Sequence, residues 1–302
     1  MVGSSSSTGS TGFEQVLSFT IPDRNARGRI VRLGPVLDDV IAAHAYPAPV
    51  RHLLAEALVL AALLGSLLKD EESQLTMQAQ TQDGVVELLV CDYRAGELRG
   101  YVRFDRARLD DLGPSPTLHA LFGDGYLAIT FDLAATGQRY QGIVPLEGDS
   151  LAAACESYFF QSEQIPTLIR VGVRSDANGC IAGGLLIQHL PEGEEGRERL
   201  HVQLDHPEWE HMRIMGGAVS TAELVDSGLD LETVLWRLFH EEREVRVERG
   251  KQIVKGCRCT SDYYRSVLAR FPITEREEMR NEDGLILVDC AFCSKVFEID
   301  LD

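Results

Sequence analysis

Near its C-terminus the chain carries two cysteine pairs, Cys257-Arg258-Cys259 and Cys290-Ala291-Phe292-Cys293, separated by residues 260–289. Zinc favours four soft ligands in a tetrahedron, and structural sites are often built from four thiolates. Residues 251–302 contain no histidine, so these four sulfurs are the only closed soft set in that stretch. Cys290 and Cys293 have the usual two-residue knuckle spacing. Cys257 and Cys259 are one residue apart, and in extended chain positions i and i+2 point to the same face, so both sulfurs reach one metal. The expectation is one zinc ion held by Cys257, Cys259, Cys290 and Cys293. The alternative for part of the set is a dithiol redox pair at Cys290 and Cys293.

The same stretch holds few apolar residues with which to fold, and a domain this small usually needs a staple. Zinc binding to small structural sites is worth roughly 10–16 kcal/mol at neutral pH, and that energy is folding energy. Thiolates are also what oxidants attack. Lys255, Arg258 and Lys295 are expected to lie beside the sulfurs and favour their negative form. Oxidation of Cys290 and Cys293 to a disulfide would remove two ligands. About 5.5 kcal/mol moves a two-state equilibrium from 1:99 to 99:1, so loss of the metal is large enough to drive a switch.

Elsewhere the composition mainly excludes. The chain of 302 residues is long enough for one large domain plus smaller modules. Its net charge of −18 argues against nucleic acid or an anionic membrane surface as partner, since both reward positive charge. Seven cysteines, three of them single (Cys91, Cys155, Cys180), do not make a secreted disulfide framework, and a reducing, cytoplasmic compartment is expected. These three read as buried, inert thiols. Residues 3–12 are a Ser/Gly/Thr tract, so residues 1–12 read as a disordered tail. The longest apolar run, residues 53–68, holds Glu56 and is short for a membrane span, so it reads as a buried core helix.

In chain order, strands are expected at 17–21 and 29–33 and helices at 36–44 and 50–68. A meander follows at 75–81, 85–93, 98–104, 126–133 and 138–146, continuing one sheet, with a loop at 110–116. A helix over 151–161 is capped by Ser150 or Asp149, and strands at 167–174 and 181–190 flank a turn. The fold class is therefore α+β: a large N-terminal α/β core with an antiparallel sheet at residues 13–191, a helical linker subdomain at 192–250 and a small C-terminal zinc-binding domain at 251–302. Between 192 and 249, 22 of 58 residues are charged (38%, against 25% overall). Short helices at 207–215 and 221–226 and a better one at 230–244 are predicted there, the last capped by Asp230. Its apolar stripe is Leu231, Val234, Leu235, Leu238 and Phe239. So charged a segment either docks as an ordinary helical subdomain or buries too little to be stable alone.

No phosphate loop, nucleophile elbow or paired acid–base residues appear, so no catalytic residue is assigned and an enzyme is not expected. The cysteine pairs, in a chain of this size, resemble those of the heat shock protein 33 family of redox-regulated chaperones. Further motifs agree: Tyr140-Gln141-Gly142-Ile143-Val144-Pro145-Leu146-Glu147-Gly148-Asp149, Tyr158-Phe159, Ser162-Glu163-Gln164-Ile165-Pro166-Thr167, Ala182-Gly183-Gly184-Leu185-Leu186 and Leu235-Trp236-Arg237-Leu238-Phe239-His240-Glu241-Glu242. The resemblance covers residues 15–297. It implies an ATP-independent holdase of the bacterial cytosol, zinc-bound and inactive when reduced. It implies that oxidation forms Cys257–Cys259 and Cys290–Cys293 disulfides, releases zinc, unfolds a metastable linker at 192–250 and gives a homodimer that binds unfolding proteins. Leu231, Val234, Leu235, Trp236, Leu238 and Phe239 then become candidate client contacts, covering the core in one state and exposed in the other. The competing readings are a constitutive zinc-ribbon interaction module and a thiol–disulfide oxidoreductase using Cys290 and Cys293.

Overall fold

A computed structural model describes residues 12–176, 179–190 and 206–301. Residues 3–11 of the Ser/Gly-rich start and the charged link at 192–199 lie outside them. The fold is organised around one helix. The chain opens with β1 (Gln15–Ile21), β2 (Ala26–Leu33), α1 (Pro35–Ile41) and α2 (Ala48–Gly65), the expected apolar helix. Leu54, Leu58, Leu60 and Leu64 are fully buried on several of its faces, and a helix apolar all round must be covered all round. Two sheets supply the cover. Next come β3 (Gln74–Gln80), β4 (Val86–Arg94), β5 (Glu97–Phe104), the short helices α3 (Arg106–Asp110) and α4 (Leu118–Phe122), then β6 (Tyr126–Leu133) and β7 (Gln138–Pro145). α5 (Leu151–Tyr158) follows, with β8 (Thr167–Asp176) and β9 (Gly179–His189) completing the core. α2 packs against β2, β8 and β9 on one side and β3, β4 and β5 on the other.

The expected meander is one antiparallel sheet, and a second sheet lies on the other side of α2. β1 and β2 join β9 and β8 in one, while β3 to β7 form the other in the order β5-β4-β3-β6-β7. One sheet covers one side of a greasy helix, so a second is required. The Ser150 cap is observed, its hydroxyl accepting from Ala153 N. Glu56, the lone charge in the apolar run, accepts from Ala152 N at the start of α5. Burial raises its pKa. Cys91, Cys155 and Cys180 are buried as expected, and burial pushes all three thiols up, Cys180 to about 11.

After the core come α6 (Pro207–Gly217), α7 (Thr221–Val225), α8 (Leu231–Phe239) and β10 (Arg246–Gln252). The three helices lie on the outer face of the β1–β2–β9–β8 sheet. Trp209, Met212, Leu224, Leu231, Leu235 and Phe239 bury against Leu17, Phe19, Ile30 and Ile187. Asp230 caps α8 by accepting from Thr233 N at 2.6 Å. The helix stops at Phe239 rather than 244, because the chain turns to bring Glu242 to Arg24 (2.9 Å) and His211 (2.6 Å). The expected division at residue 250 falls inside β10, which pairs with β1.

One buried acid ties the start of β1 to the segment that follows β10. Glu14 Oε1 accepts from Gly34 N at 2.8 Å, its carbonyl accepts from Ile253 N at 2.5 Å, and its Oε2 has no partner among the described residues. Burial pushes its pKa from 4.5 to about 7, against the opposing bonds from Gly34 and Val36 and with added repulsion from Asp39 and Asp38. The native state therefore holds this proton more tightly than the unfolded chain. Its contribution is fully present below pH 4.5 and is lost as pH rises through about 7. Glu14→Gln is expected to match the parent near pH 5 and exceed it at pH 8 by up to about 3 kcal/mol in urea unfolding.

Candidate metal centre

The C-terminal module consists of β11 (Val254–Lys255), α9 (Ser261–Leu268), α10 (Ile273–Glu278), β12 (Ile286–Asp289) and β13 (Val296–Ile299). Its buried core is Leu268, Ile286, Cys290, Phe297 and Ile299. One of those five residues is itself a candidate ligand. The first knuckle, Cys257 and Cys259, lies in the extended stretch between β11 and α9, whose start Thr260 caps by accepting from Tyr263 N. The second is the turn joining β12 to β13. Cys290 N donates to Lys295 O at 2.9 Å, Ser294 N donates to Cys290 O at 2.8 Å, and Ser294 takes a left-handed φ of 56°.

These two turns bring all four expected sulfurs together. They lie within 4.8 Å of one another. Cys257 and Cys259 are 3.2 Å apart, and the Cys257–Cys290 and Cys259–Cys293 separations are 3.5 Å. All four are free thiols. A tetrahedral zinc with bonds of about 2.3 Å holds its sulfurs roughly 3.8 Å apart. Donor type, number and spacing therefore fit that ion. The cluster is part-buried, with Cys290 innermost.

The electrostatics differ from expectation. Lys255 donates to the Asp39 carbonyl, Arg258 reaches toward the core, and Lys295 lies 4.9 Å over the Phe297 ring. Hydrogen bonds, not cations, favour a thiolate here. Burial works to raise the Cys290 pKa, yet the Tyr264 hydroxyl and the N–H groups of Cys293 and Phe292 bring it down to about 6. Burial and neighbouring sulfurs push Cys259 up, and burial likewise raises Cys293. The set thus holds one sulfur that favours its thiolate beside two that resist ionisation. A doubly charged cation held there would remove that conflict, since it favours the ionised form of all four sulfurs.

Each knuckle also sends one side chain onto the outer face of the β5–β4 sheet. Arg258 lies 3.6 Å from the buried Asp92 carboxylate and 3.1 Å from Gln74 Oε1. Phe292, from inside the second pair, stacks edge-on to Tyr101 with centroids 4.9 Å apart, and Arg99 lies 4.0 Å over its ring. Arg99 in turn donates to Asp92 at 2.6 Å. Gly256 passes so close to the core that an added Cβ would fall 2.4 Å from Glu97 Cβ. Sequence reading missed this clasp, although an aromatic between two zinc-spaced cysteines was its visible signal. Phe292→Ala is expected to keep the metal and loosen the clasp by about 1–3 kcal/mol, from lost burial and cation–π contact. Faster tryptic cleavage of residues 251–301 at unchanged zinc content would show it.

Five of the six candidate client contacts (Leu231, Val234, Leu235, Leu238, Phe239) are buried under α8. Trp236 is not: it is 66% exposed and rests on His240, at 5.2 Å between ring centroids. The expectation that it covers the core is corrected. It sits one residue, about 100° of helix, beyond the stripe.

A mixed α+β core under a docked helical layer, clasping a separate four-thiol module, defines the class. A family model described as Hsp33 protein matches residues 14–300. The 33 kDa chaperonin of Caulobacter vibrioides is 40% identical over 293 residues, 94% of each chain. That of Azotobacter vinelandii is 35% identical over 290 residues, 95% of this chain and 92% of its own. The crystal structure of the 33 kDa chaperonin from Thermotoga maritima, a heat shock protein 33 homologue, covers 95% of both chains at a TM-score of 0.78 and 25% identity. The chain belongs to the Hsp33 family, a family of chaperones.

Proposed function

We propose that this chaperone is a redox-regulated, ATP-independent holdase of the bacterial cytoplasm. It acts by binding unfolding proteins and not by catalysis. The observation that carries the reading is the gathering of four free sulfurs within 4.8 Å at a module with almost no core of its own. Reduced, Cys257, Cys259, Cys290 and Cys293 would hold one zinc ion, which would supply a cross-link between the two knuckles. Phe292 and Arg258 then clasp the module to the core. Under peroxide each cysteine pair gives up two protons and two electrons. One S–S bond forms per pair, and the O–O bond of the oxidant breaks to yield two waters. Sulfurs joined as Cys257–Cys259 and Cys290–Cys293 no longer serve as ligands, so the site no longer retains its metal. The knuckles then lose the cross-link that fixed the clasp. The helical layer over residues 207–239, anchored through β10, loosens and uncovers the stripe of α8, and the chain dimerises.

Cys290 and Cys293 occupy a turn between two strands, not the helix start that a catalytic dithiol uses. The test is zinc content, sedimentation and suppression of client aggregation before and after peroxide. The expected result is about one zinc per chain and no suppression when reduced, then zinc loss, dimerisation and strong suppression. Suppression indifferent to oxidation would contradict the reading, and turnover of a disulfide substrate by the reduced protein would favour an oxidoreductase.

A further inference from the structure

β10 is an unusual strand. All seven of its residues are exposed, and its outer edge carries no further strand among the described residues. It is held to β1 by an antiparallel ladder whose register shifts between Gln15 and Leu17. Its side chains add only rim ion pairs: Arg249 with Glu232 at 2.7 Å, Arg246 with Glu244 at 2.8 Å, and Lys251 with Glu71. Exposed pairs of this kind contribute little. The pin is the next residue, Ile253, which is buried in the main core and donates its N–H to Glu14 O. Four residues later stands Cys257. β10 is thus a strap between the thiol module and the helical layer, secured at its module end by the Ile253 side chain and by β11, which pairs in parallel with β5 through Val254 N to Gly96 O (2.9 Å) and Gly256 N to Leu98 O (3.0 Å).

What the strap covers is the edge of β1. Beneath that edge lie Leu17, Phe19 and Ile21, all buried. Beside Leu17, where β10 meets α8, a cleft of about 550 Å³ opens between Gln15, Leu17, Asp230, Leu231, Glu232 and Arg249. Arg249 stands opposite Leu17 in the register but turns aside to Glu232.

We propose that the outer edge of β1 is a docking strand for extended segments of unfolded polypeptide, occupied at rest by β10 as an internal stand-in. Recognition by strand addition reads the main chain, which every unfolded protein offers, and uses alternate side chains for selectivity. β10 itself shows that the edge accepts a strand without burying any of its side chains. A client strand with an apolar β-branched or aromatic residue opposite Leu17 would fill the cleft that Arg249 leaves. Such a segment outcompetes β10 once the strap is slack. The inference rests on the oxidative release proposed above, which supplies the event that frees β10.

Hydrogen exchange of the full-length protein tests it, read at the β1 amides that face β10. The probe client is reduced, carboxymethylated α-lactalbumin, which stays unfolded. The reduced chain should exchange slowly at these amides. Oxidation should speed them by at least about tenfold, and saturating client should slow them again by at least about tenfold. Client bound, by gel filtration, with these amides still fast would overturn the proposal and leave the redox reading intact. So would client binding while β10 stays paired. A second arm needs no oxidation. Ile253→Ala in the reduced, zinc-loaded chain should free the strap at unchanged zinc content, and client should then protect the same amides. If oxidation of the parent never gives client binding, the redox reading fails, and this arm still decides: client-dependent protection upholds the β1 edge, and its absence overturns it.

Discussion

Cys290→Ser is expected to cost the protein its metal site and the fold of its last fifty residues together. Cys290 is both a ligand candidate and one of five buried residues in the module core. Serine keeps the volume roughly but offers a poor, neutral ligand to a site otherwise made of thiolates. Much of the roughly 10–16 kcal/mol that such sites contribute is then forfeited, and four buried side chains remain to hold α9, α10, β12 and β13. The expected outcome is sub-stoichiometric zinc after dialysis, rapid proteolysis of residues 251–301, and client capture by the reduced protein. Retention of full zinc and protease resistance would refute the ligand assignment. The clasp residue Phe292 supplies the contrast, since Phe292→Ala disturbs docking while leaving every sulfur in place.

Arg32→Ala should release the helical layer from the other side. Arg32 is fully buried, and its guanidinium donates to three carbonyls: Glu223 at 2.8 Å, Leu224 at 2.7 Å and Leu229 at 2.6 Å. Glu223 and Leu224 are in α7, near whose C-terminal end backbone acceptors lack partners within the helix, and Leu229 lies in the turn before α8. Burial lowers the Arg32 pKa, with Asp226 and Asp230 opposing. Truncation removes the donor from the Leu224 and Leu229 carbonyls, while Glu223 O still accepts from Asp226 N at 3.4 Å, and it opens a void, a loss of about 3–5 kcal/mol in all. The loss falls where α7 and α8 dock on β2. The reduced variant is expected to keep its zinc, lose stability in urea and suppress client aggregation without peroxide. Arg32→Lys, whose point charge cannot span three diverging acceptors, should fall between. A reduced Arg32→Ala protein as stable and as inactive as the parent would contradict this role.

Local features were legible where short-range chemistry decides them. The thiol set, the buried helix α2, the caps at Ser150 and Asp230 and the inert cysteines could be read from spacing and polarity, because a cap or a knuckle is settled within four residues. The partition into two sheets was not, since hairpins such as β3–β4 and β8–β9 look alike in sequence whichever sheet they join. What decided it was the need of α2 for cover on opposite sides. The roles of Arg32, Phe292 and Ile253 were equally hidden. Each depends on a partner far away in the chain: Arg32 on α7, Phe292 on Tyr101 and Arg99, Ile253 on Glu14. Cations near cysteines in sequence misled, because Arg258 finds Asp92, a better partner, on the core.

The two tryptophans allow the coupling itself to be observed. Trp209 is buried in the helical layer and Trp236 is exposed. In a Trp236→Phe background, the emission of Trp209 reports that layer alone. If the four sulfurs latch the helices shut, peroxide should shift this emission to the red on the same time course as zinc release. Zinc released to completion with Trp209 emission unchanged would contradict the latch.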